Sequence, residues 1–392
     1  MALLYISSVV PDEKEFHNPA FTRSGNNVLK GIADALHKYT KCDMISYLPT
    51  PSFPRGKFWI KSRMVVLESG ASVFITPTLN VKILKNIFEG IYTFLYVLKW
   101  AKKHKHEDNK VLVYNIYDPP ISFLYKACKL VDAKLYAILY DLGMPPKRLA
   151  LSRATMMAYA ISERSAEKYI PRMDGRIVIN ESIVHHYAPG LDYLLVDGGI
   201  NENVISSLFP LSETPGDIYT FVCAGMLWDQ NGTKLIMDAM KINTNPNIRV
   251  VFAGRGNDVC LIEEATKTDG RIKYVGMLTM EELFKVYENS DALMNLRIEE
   301  EVDFHFPSKL LEYLATGKCV ISTPIAHAQR DYGQYLKVLE DITPEGLSNL
   351  MNLITSMSKL NLCEKGHEQR KFMIEKRNWD YRTLEILKYM QL

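Results

Sequence analysis

One stretch in the last quarter of the chain decides the fold: Phe306-Pro-Ser-Lys-Leu-Leu-Glu-Tyr-Leu-Ala-Thr-Gly-Lys-Cys-Val-Ile-Ser-Thr-Pro324. Pro307 is tolerated in the first turn of a helix, where a missing N–H costs little. The leucines that follow repeat at helical spacing, and Gly317 suits the left-handed position just past a helix end. Cys319 then begins a short apolar run. The stretch therefore predicts a turn, a helix and a buried strand, which is the unit of a parallel α/β sheet.

The predicted helix carries two charged side chains near its start. Lys309 lies in the first turn, where free backbone N–H groups already give a partial positive charge, and Glu312 follows one turn later. A donor-rich helix end beside a carboxylate suits a ligand with both phosphate groups and sugar hydroxyls, such as a nucleotide sugar. An ordinary αβ unit whose lysine and glutamate are solvated is the alternative.

The chain of 392 residues is long for one hydrophobic core and suits two domains. Apolar runs alternate with amphipathic helical patterns in two blocks, which predicts an α/β fold with two Rossmann-like, doubly wound domains. A polar stretch with two prolines separates the blocks. We expect one domain at 1–200, a linker at 201–216, a second domain at 217–367, and a C-terminal helix at 368–392.

Composition excludes several classes of protein. Hydrophobic residues make up 47% of the chain and charged residues 23%, and the formal net charge of +2 gives no case for binding nucleic acid. The six cysteines form no Cys-x-x-Cys pair, which indicates reduced thiols and not a disulfide framework or a zinc site. Residues 1–10 have the pattern of a buried strand and lack the charged lead of a signal peptide, and no run reaches the ~18 apolar residues of a membrane span. We therefore expect a cytoplasmic protein.

Further glycines in the second block fall where strands are predicted to end. In chain order they are Gly225 in 217–227, Gly254 and Gly256 in 252–257, and Gly276 in 274–277. Glycine lets a ligand approach the backbone closely, and Arg255 is placed to meet a phosphate group. A tight turn without a ligand is the alternative explanation of a lone Gly-x-Gly.

Together with the opening stretch, these elements resemble in order and spacing the donor-binding domain of retaining GT-B glycosyltransferases, in particular glycosyltransferase family 4. The resemblance covers 217–324. It implies two Rossmann-like domains that face each other across a cleft, with an acceptor-binding domain at 1–200 and a nucleotide-sugar-binding domain at 217–367. The C-terminal helix at 368–392 would return to the N-terminal domain. The resemblance also implies a metal-independent hexosyltransferase of surface polysaccharide synthesis. The nucleotide sugar is then a substrate, with a UDP-sugar favoured, and we expect no cofactor and no metal.

The resemblance also assigns roles to residues. Lys309 and Glu312 would be catalytic, Lys309 at the diphosphate and Glu312 at the ribose hydroxyls of the donor. Backbone groups at 276–278 would hold the base, and amides at 308–311 would hold the diphosphate. The donor-binding residues are predicted to be Gly225, Gly254, Arg255, Gly256, Gly276, Met277, Leu278, His305, Phe306, Pro307, Ser308, Leu310 and Leu311.

The first block gives a weaker match. Gly25 and Asn26 lie in a loop that resembles the acceptor-side loop of the family, and a helix N-cap turn is the alternative. Tyr140 and Asp141 follow a predicted strand. Asp141 would act as a catalytic group at the acceptor hydroxyl, and an aspartate that caps a turn is the alternative.

Three positions depart from the family pattern. Phe304 stands where the first glutamate of the signature is expected, with His305 as a substitute contact, while Met226 and Asn231 stand at two basic positions. One interpretation is an active subgroup whose cations are Lys309 and Arg255. The second is a catalytically impaired GT-B subunit that binds a nucleotide sugar or acts as a scaffold, and a third is a sugar-nucleotide epimerase.

Two segments mix aromatic and basic residues, at 55–63 and at 81–106. Such segments are typical of protein surfaces that lie on an anionic bilayer. Many relatives act on polyprenyl-diphosphate-linked sugars, so the resemblance implies a lipid-linked glycan acceptor and a peripheral position on the inner face of the cell membrane. A core helix with a solvated basic end is the alternative, favoured by Glu89 and Gly90.

Overall fold

The computed structural model describes all residues except 17, 19, 21–22, 83, 117–119, 141, 143–152 and 299–305. The chain divides into two compact units. Unit 1 consists of Met1–Gly199 and Trp379–Leu392, and unit 2 of Ile200–Asn378.

Strands and helices alternate along most of the chain. The strands are β1 (Ala2–Ser7), β2 (Cys42–Ser46), β3 (Trp59–Ile60), β4 (Arg63–Val66), β5 (Ser72–Ile75), β6 (Thr78–Leu79), β7 (Asn109–Tyr114), β8 (Lys134–Leu139), β9 (Gly175–Val178), β10 (Leu194–Leu195), β11 (Tyr219–Met226), β12 (Ile248–Arg255), β13 (Ile272–Tyr274), β14 (Ala292–Asn295), β15 (Cys319–Ser322) and β16 (Leu336–Val338). The helices are α1 (Arg23–Tyr39), α2 (Leu84–Lys103), α3 (Pro120–Leu130), α4 (Arg153–Tyr169), α5 (Ser182–Tyr187), α6 (Glu202–Ser206), α7 (Thr233–Ile242), α8 (Val259–Thr268), α9 (Met280–Glu288), α10 (Ser308–Thr316), α11 (Ala328–Tyr332), α12 (Pro344–Thr355), α13 (Lys359–Lys376) and α14 (Trp379–Tyr389).

The main sheet of unit 1 has the strand order β10-β9-β8-β7-β1-β2-β5-β4. Its pairings are parallel except at the β4–β5 edge, and β3 and β6 form a separate antiparallel ribbon. Every residue of β1 and of β7 is buried, as expected for central strands covered on both faces. The strands β2 and β5 lie on one side of β1 in the sheet, and the later strands β7, β8, β9 and β10 lie on its other side. The β1–β7 junction is therefore the topological switch point of this sheet.

The end of the chain packs into unit 1. The side chain of Trp379 lies so close to Gly31 and Gly199 that a Cβ atom at either position would overlap its indole ring. The buried guanidinium of Arg382 pairs with the carboxylate of Asp197. The ammonium group of Lys110, itself buried in β7, donates hydrogen bonds to the backbone carbonyls of the last turn, at 2.6 Å and 2.9 Å.

The sheet of unit 2 is parallel throughout the described residues, with the order β13-β12-β11-β14-β15-β16. Its switch point lies between β11 and β14. Helices α10 and α13 approach closely at Gly317 and Gly366, where either added Cβ atom would overlap the backbone of the other helix's glycine. Gly317 ends α10 in the left-handed conformation, with φ of 72°.

The structure confirms the opening stretch residue for residue, as helix Ser308–Thr316 and strand Cys319–Ser322. Two expectations differ from the structure. Helix α1 already begins at Arg23, so Gly25 and Asn26 lie in its first turn and not in a loop. The segment 368–392 is not one helix, because the helix that begins at Lys359 ends at Lys376 and a separate helix begins at Trp379.

Among the described helices, none combines the length and the apolar character that crossing a bilayer requires. All six cysteines lie in described residues and are free thiols.

Candidate functional site

The site in unit 2 begins with a close contact between two strand ends. Gly225 of β11 and Gly254 of β12 are paired in register and adopt φ values of 115° and 135°. A Cβ atom on Gly254 would overlap the carbonyl of Gly225, and one on Gly256 would overlap the carbonyl of Leu227. Residues with a Cβ atom rarely adopt the positive φ values of Gly225 and Gly254. At Gly254 and Gly256 there is also no room for a Cβ atom, so glycine is required. The result is a bare backbone floor at the carboxyl edge of the sheet.

Lys309 reaches this floor from the first turn of α10. Its ammonium group donates a hydrogen bond to the carbonyl of Ala224, the residue before Gly225. A side chain on Gly225 would overlap the lysine ammonium, so this glycine also makes room for the cation. Burial lowers the pKa of Lys309, and the negative charge of Glu312 partly opposes that effect. A half-buried cation of this kind gains stability from an anionic ligand.

A pocket of about 320 Å³ opens beside the lysine. It lies at the carboxyl ends of β11 and β12 and is walled by the loop before α9. The predicted site residues among its walls are Gly225, Gly254, Arg255, Met277, Leu278 and Lys309. Met226, Ala253 and Leu283 also line it. The side chains of Ala253 and Leu283 were missed by the sequence analysis because they are ordinary apolar positions on a strand and a helix.

The loop before α9 is held by its own hydrogen bonds. The carbonyl of Gly276 accepts from the N–H of Gly254 at 2.7 Å, and Gly276 has a φ of 73°. Thr279 and Glu282 form a capping box at the start of α9. Met277, between these anchors, is 65% exposed. The loop therefore presents an apolar side chain and backbone groups at the mouth of the pocket.

Glu312 lies one turn beyond Lys309 on α10. Its Oε1 accepts a hydrogen bond from the hydroxyl of Tyr287 at 3.4 Å. Burial raises the pKa of Glu312, while the charge of Lys309 and the tyrosine hydroxyl lower it in part. In this structure Glu312 is not among the described residues that line the pocket. Its contact with the donor ribose stays a prediction.

The remaining predicted donor residues of the opening stretch divide into exposed and buried groups. Ser308 is exposed as the first residue of α10, and Pro307 precedes it in extended conformation. Phe306 is buried, and its ring stacks on the imidazole of His327 at 4.7 Å between centroids. The side chains of Leu310 and Leu311 are also buried, so these two residues can offer a ligand only backbone groups. The N–H of Leu310 is already donated to the carbonyl of Pro307 at 2.9 Å.

Met226 and Asn231, two of the three positions that depart from the family pattern, are described by the structure and lie beside the pocket. The side-chain amide of Asn231 donates to the carbonyl of Met226 at 2.7 Å. Asn231 thus braces the turn after β11, where the family pattern has a cation. Among the described residues that line this pocket, the cations are Lys309 and Arg255, which lies exposed at the end of β12.

The predicted acceptor-side residues serve the packing of unit 1. The buried side chain of Asn26 both accepts from the N–H of Val10, at 2.7 Å, and donates to its carbonyl, at 2.9 Å. Its amide therefore joins α1 to the loop after β1, and its role as an acceptor contact stays a prediction. Gly25 is part of the same helical turn. Tyr140 is buried, with its N–H donated to Asn115 and its ring edge-on to Tyr114, which likewise indicates a role in the core.

Two predicted site residues, Asp141 and His305, lie outside the described residues, as does the departure at Phe304. Their roles stay predictions.

Comparison with known proteins addresses family and fold. Residues 218–350 match the family model described as glycosyl transferases group 1. No match to the sequence is found among curated proteins.

Solved structures match over the whole chain. A glycosyltransferase from Rickettsia africae superposes with a TM-score of 0.68 at 14% identity, covering 100% of this chain and 98% of that chain. Sucrose-phosphate synthase from Thermosynechococcus elongatus gives 0.66 at 14% identity, with coverage of 100% and 98%. The Anabaena protein Alr3699/HepE gives 0.59 at 13% identity, with coverage of 100% and 99%.

These matches confirm the predicted fold class, an α/β chain with two Rossmann-like domains of the GT-B type. The family match falls on unit 2, which contains Lys309 and the closely packed glycines of β11 and β12. Family match and fold together support a glycosyltransferase. Residues 218–350 are therefore similar to the group 1 glycosyl transferases, within a chain that has the GT-B fold.

Proposed function

We propose that the chain is a retaining glycosyltransferase that moves a sugar from a nucleotide-sugar donor to a lipid-linked glycan during surface polysaccharide synthesis. The observation that carries the donor half of this proposal is the pocket at the ends of β11 and β12, with a half-buried lysine at its edge. No bound metal enters the proposal.

The donor would place its diphosphate between Lys309, Arg255 and the N-terminal turn of α10. When the bond between the anomeric carbon and the phosphate oxygen breaks, negative charge develops on the leaving diphosphate. A cation that is already desolvated and in place stabilises that charge more effectively than a solvated one. The backbone floor at Gly225 and Gly254 lets the phosphates approach without a clash.

A UDP-sugar is the favoured donor. The structure of Anabaena Alr3699/HepE, a similar fold, is described as a complex with UDP and glucose. The base would rest on the loop at 276–278, where Met277 offers an exposed apolar side chain. Backbone groups and one flexible methionine would make most of this contact. The preferred base is therefore tested by comparing UDP-, GDP- and dTDP-sugars.

A lipid-linked acceptor is supported by an apolar face on unit 1. Leu84, Ile87, Ile91 and Leu95 are exposed at helical spacing, and we refer to them as the α2 stripe. The ring of Phe88 packs edge-on against exposed Trp59 of the β3–β6 ribbon, 5.5 Å away between centroids. Exposed basic residues accompany these aromatics, at Arg55, Lys57, Lys61 and Lys99. An apolar stripe with cations beside it fits the boundary between anionic headgroups and acyl chains.

The second function to consider is a catalytically impaired GT-B subunit. The observation that favours it is the pair Met226 and Asn231, which leaves the turn after β11 without the two cations of the family pattern. Such a subunit would bind a nucleotide sugar without transferring its sugar.

A transfer assay distinguishes the two functions. The purified chain is incubated with UDP-, GDP- or dTDP-sugars and a polyprenyl-diphosphate-linked monosaccharide, and product is followed by mass spectrometry and its anomeric configuration by NMR. We expect transfer from one nucleotide sugar with retained configuration. Nucleotide binding without transfer to any acceptor would favour the impaired subunit, and an inverted product would contradict the retaining mechanism.

A further inference from the structure

Two buried tyrosines lie at the switch point of the sheet in unit 2. The pairing of β11 with β14 covers Phe221 and Val222, whereas β11 itself continues to Met226. Tyr287 of α9 and Tyr313 of α10 are both completely buried. Their rings pack edge to face, with 5.5 Å between centroids and 83° between planes. The two side chains therefore form one packed unit, and their hydroxyls reach two different groups of the candidate site.

The hydroxyl of Tyr313 lies on the backbone of Ala224, beyond the paired part of β11. It accepts a hydrogen bond from the N–H of Ala224 at 3.3 Å and lies 3.5 Å from the carbonyl oxygen of the same residue. This carbonyl is the one to which Lys309 donates. Tyr313 thus holds the peptide group on which the lysine rests.

The hydroxyl of Tyr287 reaches the carboxyl group of Glu312. It donates to Oε1 at 3.4 Å, and no other hydrogen bond to this carboxyl group comes from the described residues. Burial raises the pKa of Tyr287 well above its usual value, so the hydroxyl stays protonated and serves the carboxylate as a donor. Oε2 is thereby left as the oxygen that a ligand can use.

Packing alone does not require the hydroxyl of Tyr287. A phenylalanine fills nearly the same volume, and a buried hydroxyl costs stability unless it is well hydrogen-bonded. The bond to Glu312 is long for an O–H···O contact and adds little to stability. It does supply direction, because a glutamate side chain rotates about several bonds and a fixed donor restricts where its carboxylate lies.

We propose that Tyr287 is a positioning residue that orients the carboxylate of Glu312 toward the ribose hydroxyls of the donor. This inference rests on the proposed function, because Glu312 meets a ribose only if unit 2 binds the nucleotide part of the donor. A carboxylate that is oriented before binding loses less conformational freedom when the ribose arrives. Tyr313 acts on the other end of the donor, since its hydroxyl supports the Ala224 peptide beside Lys309.

The test compares UDP with 2′,3′-dideoxy-UDP, which lacks both ribose hydroxyls, by calorimetric titration of the full chain. The wild type should bind UDP about tenfold more tightly than the dideoxy analogue, because hydroxyl groups donate to a charged carboxylate. Tyr287→Phe keeps the ring and removes the hydroxyl. It should weaken UDP binding by about fivefold and binding of the analogue by less than about twofold, so that the preference for UDP shrinks.

A merely structural role would give a different result. Loss of packing or of stability would weaken both nucleotides alike and leave the preference for UDP unchanged. A double-mutant cycle adds a second readout that does not depend on the analogue. In the Glu312→Ala background, Tyr287→Phe should change UDP affinity by less than about twofold, because the hydroxyl then has no carboxylate to orient. Independent, additive losses would exclude action through Glu312.

Two further tyrosine variants are matched controls. Tyr219 is buried at the start of β11, and its hydroxyl donates to the carbonyl of Met357. Tyr219→Phe should bind both nucleotides like the wild type. Tyr313→Phe should weaken both nucleotides alike, because it acts at the diphosphate. If it reduced the preference for UDP as much as Tyr287→Phe does, the effect would belong to the packed tyrosines and not to the hydroxyl of Tyr287.

The wild type separates failure of this inference from failure of the proposed function. If the wild type prefers UDP and Tyr287→Phe keeps the full preference, Tyr287 has no positioning role while the donor site stands. Equal affinity of the wild type for UDP and the analogue would exclude both the role of Tyr287 and the ribose contact of Glu312. A wild type that binds no UDP would contradict the proposed donor, and the role of Tyr287 would fall with it.

Discussion

Each unit has a pocket at the carboxyl edge of its main sheet, but the two pockets are built in different ways. In unit 2 the pocket is made of bare backbone at Gly225 and Gly254 with two cations, Lys309 and Arg255. In unit 1 it is made of side chains, with a buried carboxyl group, Glu89, and no glycine among the described residues that line it. A backbone floor with a cation suits a diphosphate, whereas a wall of side chains suits a sugar. The shared sheet topology thus supplies the place of a pocket, and the local residues supply its chemistry.

The largest effect is expected from Lys309→Ala. Without this desolvated cation the leaving diphosphate is less stabilised, so turnover should fall by roughly 10²–10³-fold. Lys285→Ala removes an exposed lysine paired with Glu281 and is the control. The measurement is the initial rate at saturating donor and acceptor, and a rate within a factor of two of the wild type would remove Lys309 from the mechanism.

Glu89→Gln should make the protein more stable at alkaline pH. The pKa of Glu89 rises from 4.5 to about 7 on folding, so the folded protein prefers the protonated form. The stability of the wild type therefore falls as the pH rises from about 4.5 through 7, by at most roughly 3 kcal/mol. Glu89→Gln has no carboxyl group to ionise at this position, so its stability does not show this fall with pH.

Thermal unfolding of both proteins at pH 5 and pH 8 measures the difference. We expect the midpoint of Glu89→Gln to exceed that of the wild type at pH 8 and the gap to narrow at pH 5. Equal midpoints at both values would mean that Glu89 is solvated, which would weaken the contrast between the two pockets.

Gly225→Ala tests the backbone floor. An alanine at this position would have an unfavourable φ, and its Cβ atom would overlap the ammonium group of Lys309. The free energy of unfolding should therefore fall by roughly 1–3 kcal/mol. The affinity for UDP should fall as well. Gly216→Ala is a matched control, since Gly216 also has a positive φ but no neighbour within 4 Å of an added Cβ. The control should lose stability alone, and equal UDP affinity in both variants would show that the floor does not touch the donor.

The smallest effect concerns the α2 stripe. The double variant Ile91→Gln with Leu95→Gln should weaken binding to vesicles of phosphatidylcholine and phosphatidylglycerol by about tenfold, because two apolar contacts with the bilayer are lost. Leu130→Gln, on the exposed side of α3, is the control. Sedimentation of the protein with vesicles provides the readout, and unchanged binding of the double variant would leave the lipid-linked acceptor without support.

The glycine-marked ends of strands and helices in unit 2 could be predicted from the sequence because glycines and caps are local signals. Gly225, Gly254, Gly276 and Gly317 all adopt positive φ, and such positions mark strand and helix ends in any sequence. The edge strands β3, β4, β6 and β16 were missed because they are short and half-exposed, so that little periodicity marks them.

The pocket of unit 1 was not predictable in the same way. Its residues come from strand ends, from the loop at 47–52 and from two helices, and only the tertiary structure brings them together. The one available signal was Glu89 inside an apolar helical run, and together with Gly90 it favoured a core helix. The packing roles of Asn26 and Tyr140 were not predictable either, because a polar residue near a strand end is as useful to packing as to binding.

The central claim is that the donor binds in unit 2 and the acceptor sugar in unit 1. Calorimetric titration of the wild type, Lys309→Ala and Glu89→Gln with UDP, and then with the p-nitrophenyl glycoside that binds the wild type best, tests it most directly. We expect Lys309→Ala to lose affinity for UDP and to keep its affinity for the glycoside, and Glu89→Gln to do the reverse. Both ligands weakened equally by either variant, or a wild type that binds no UDP, would contradict it.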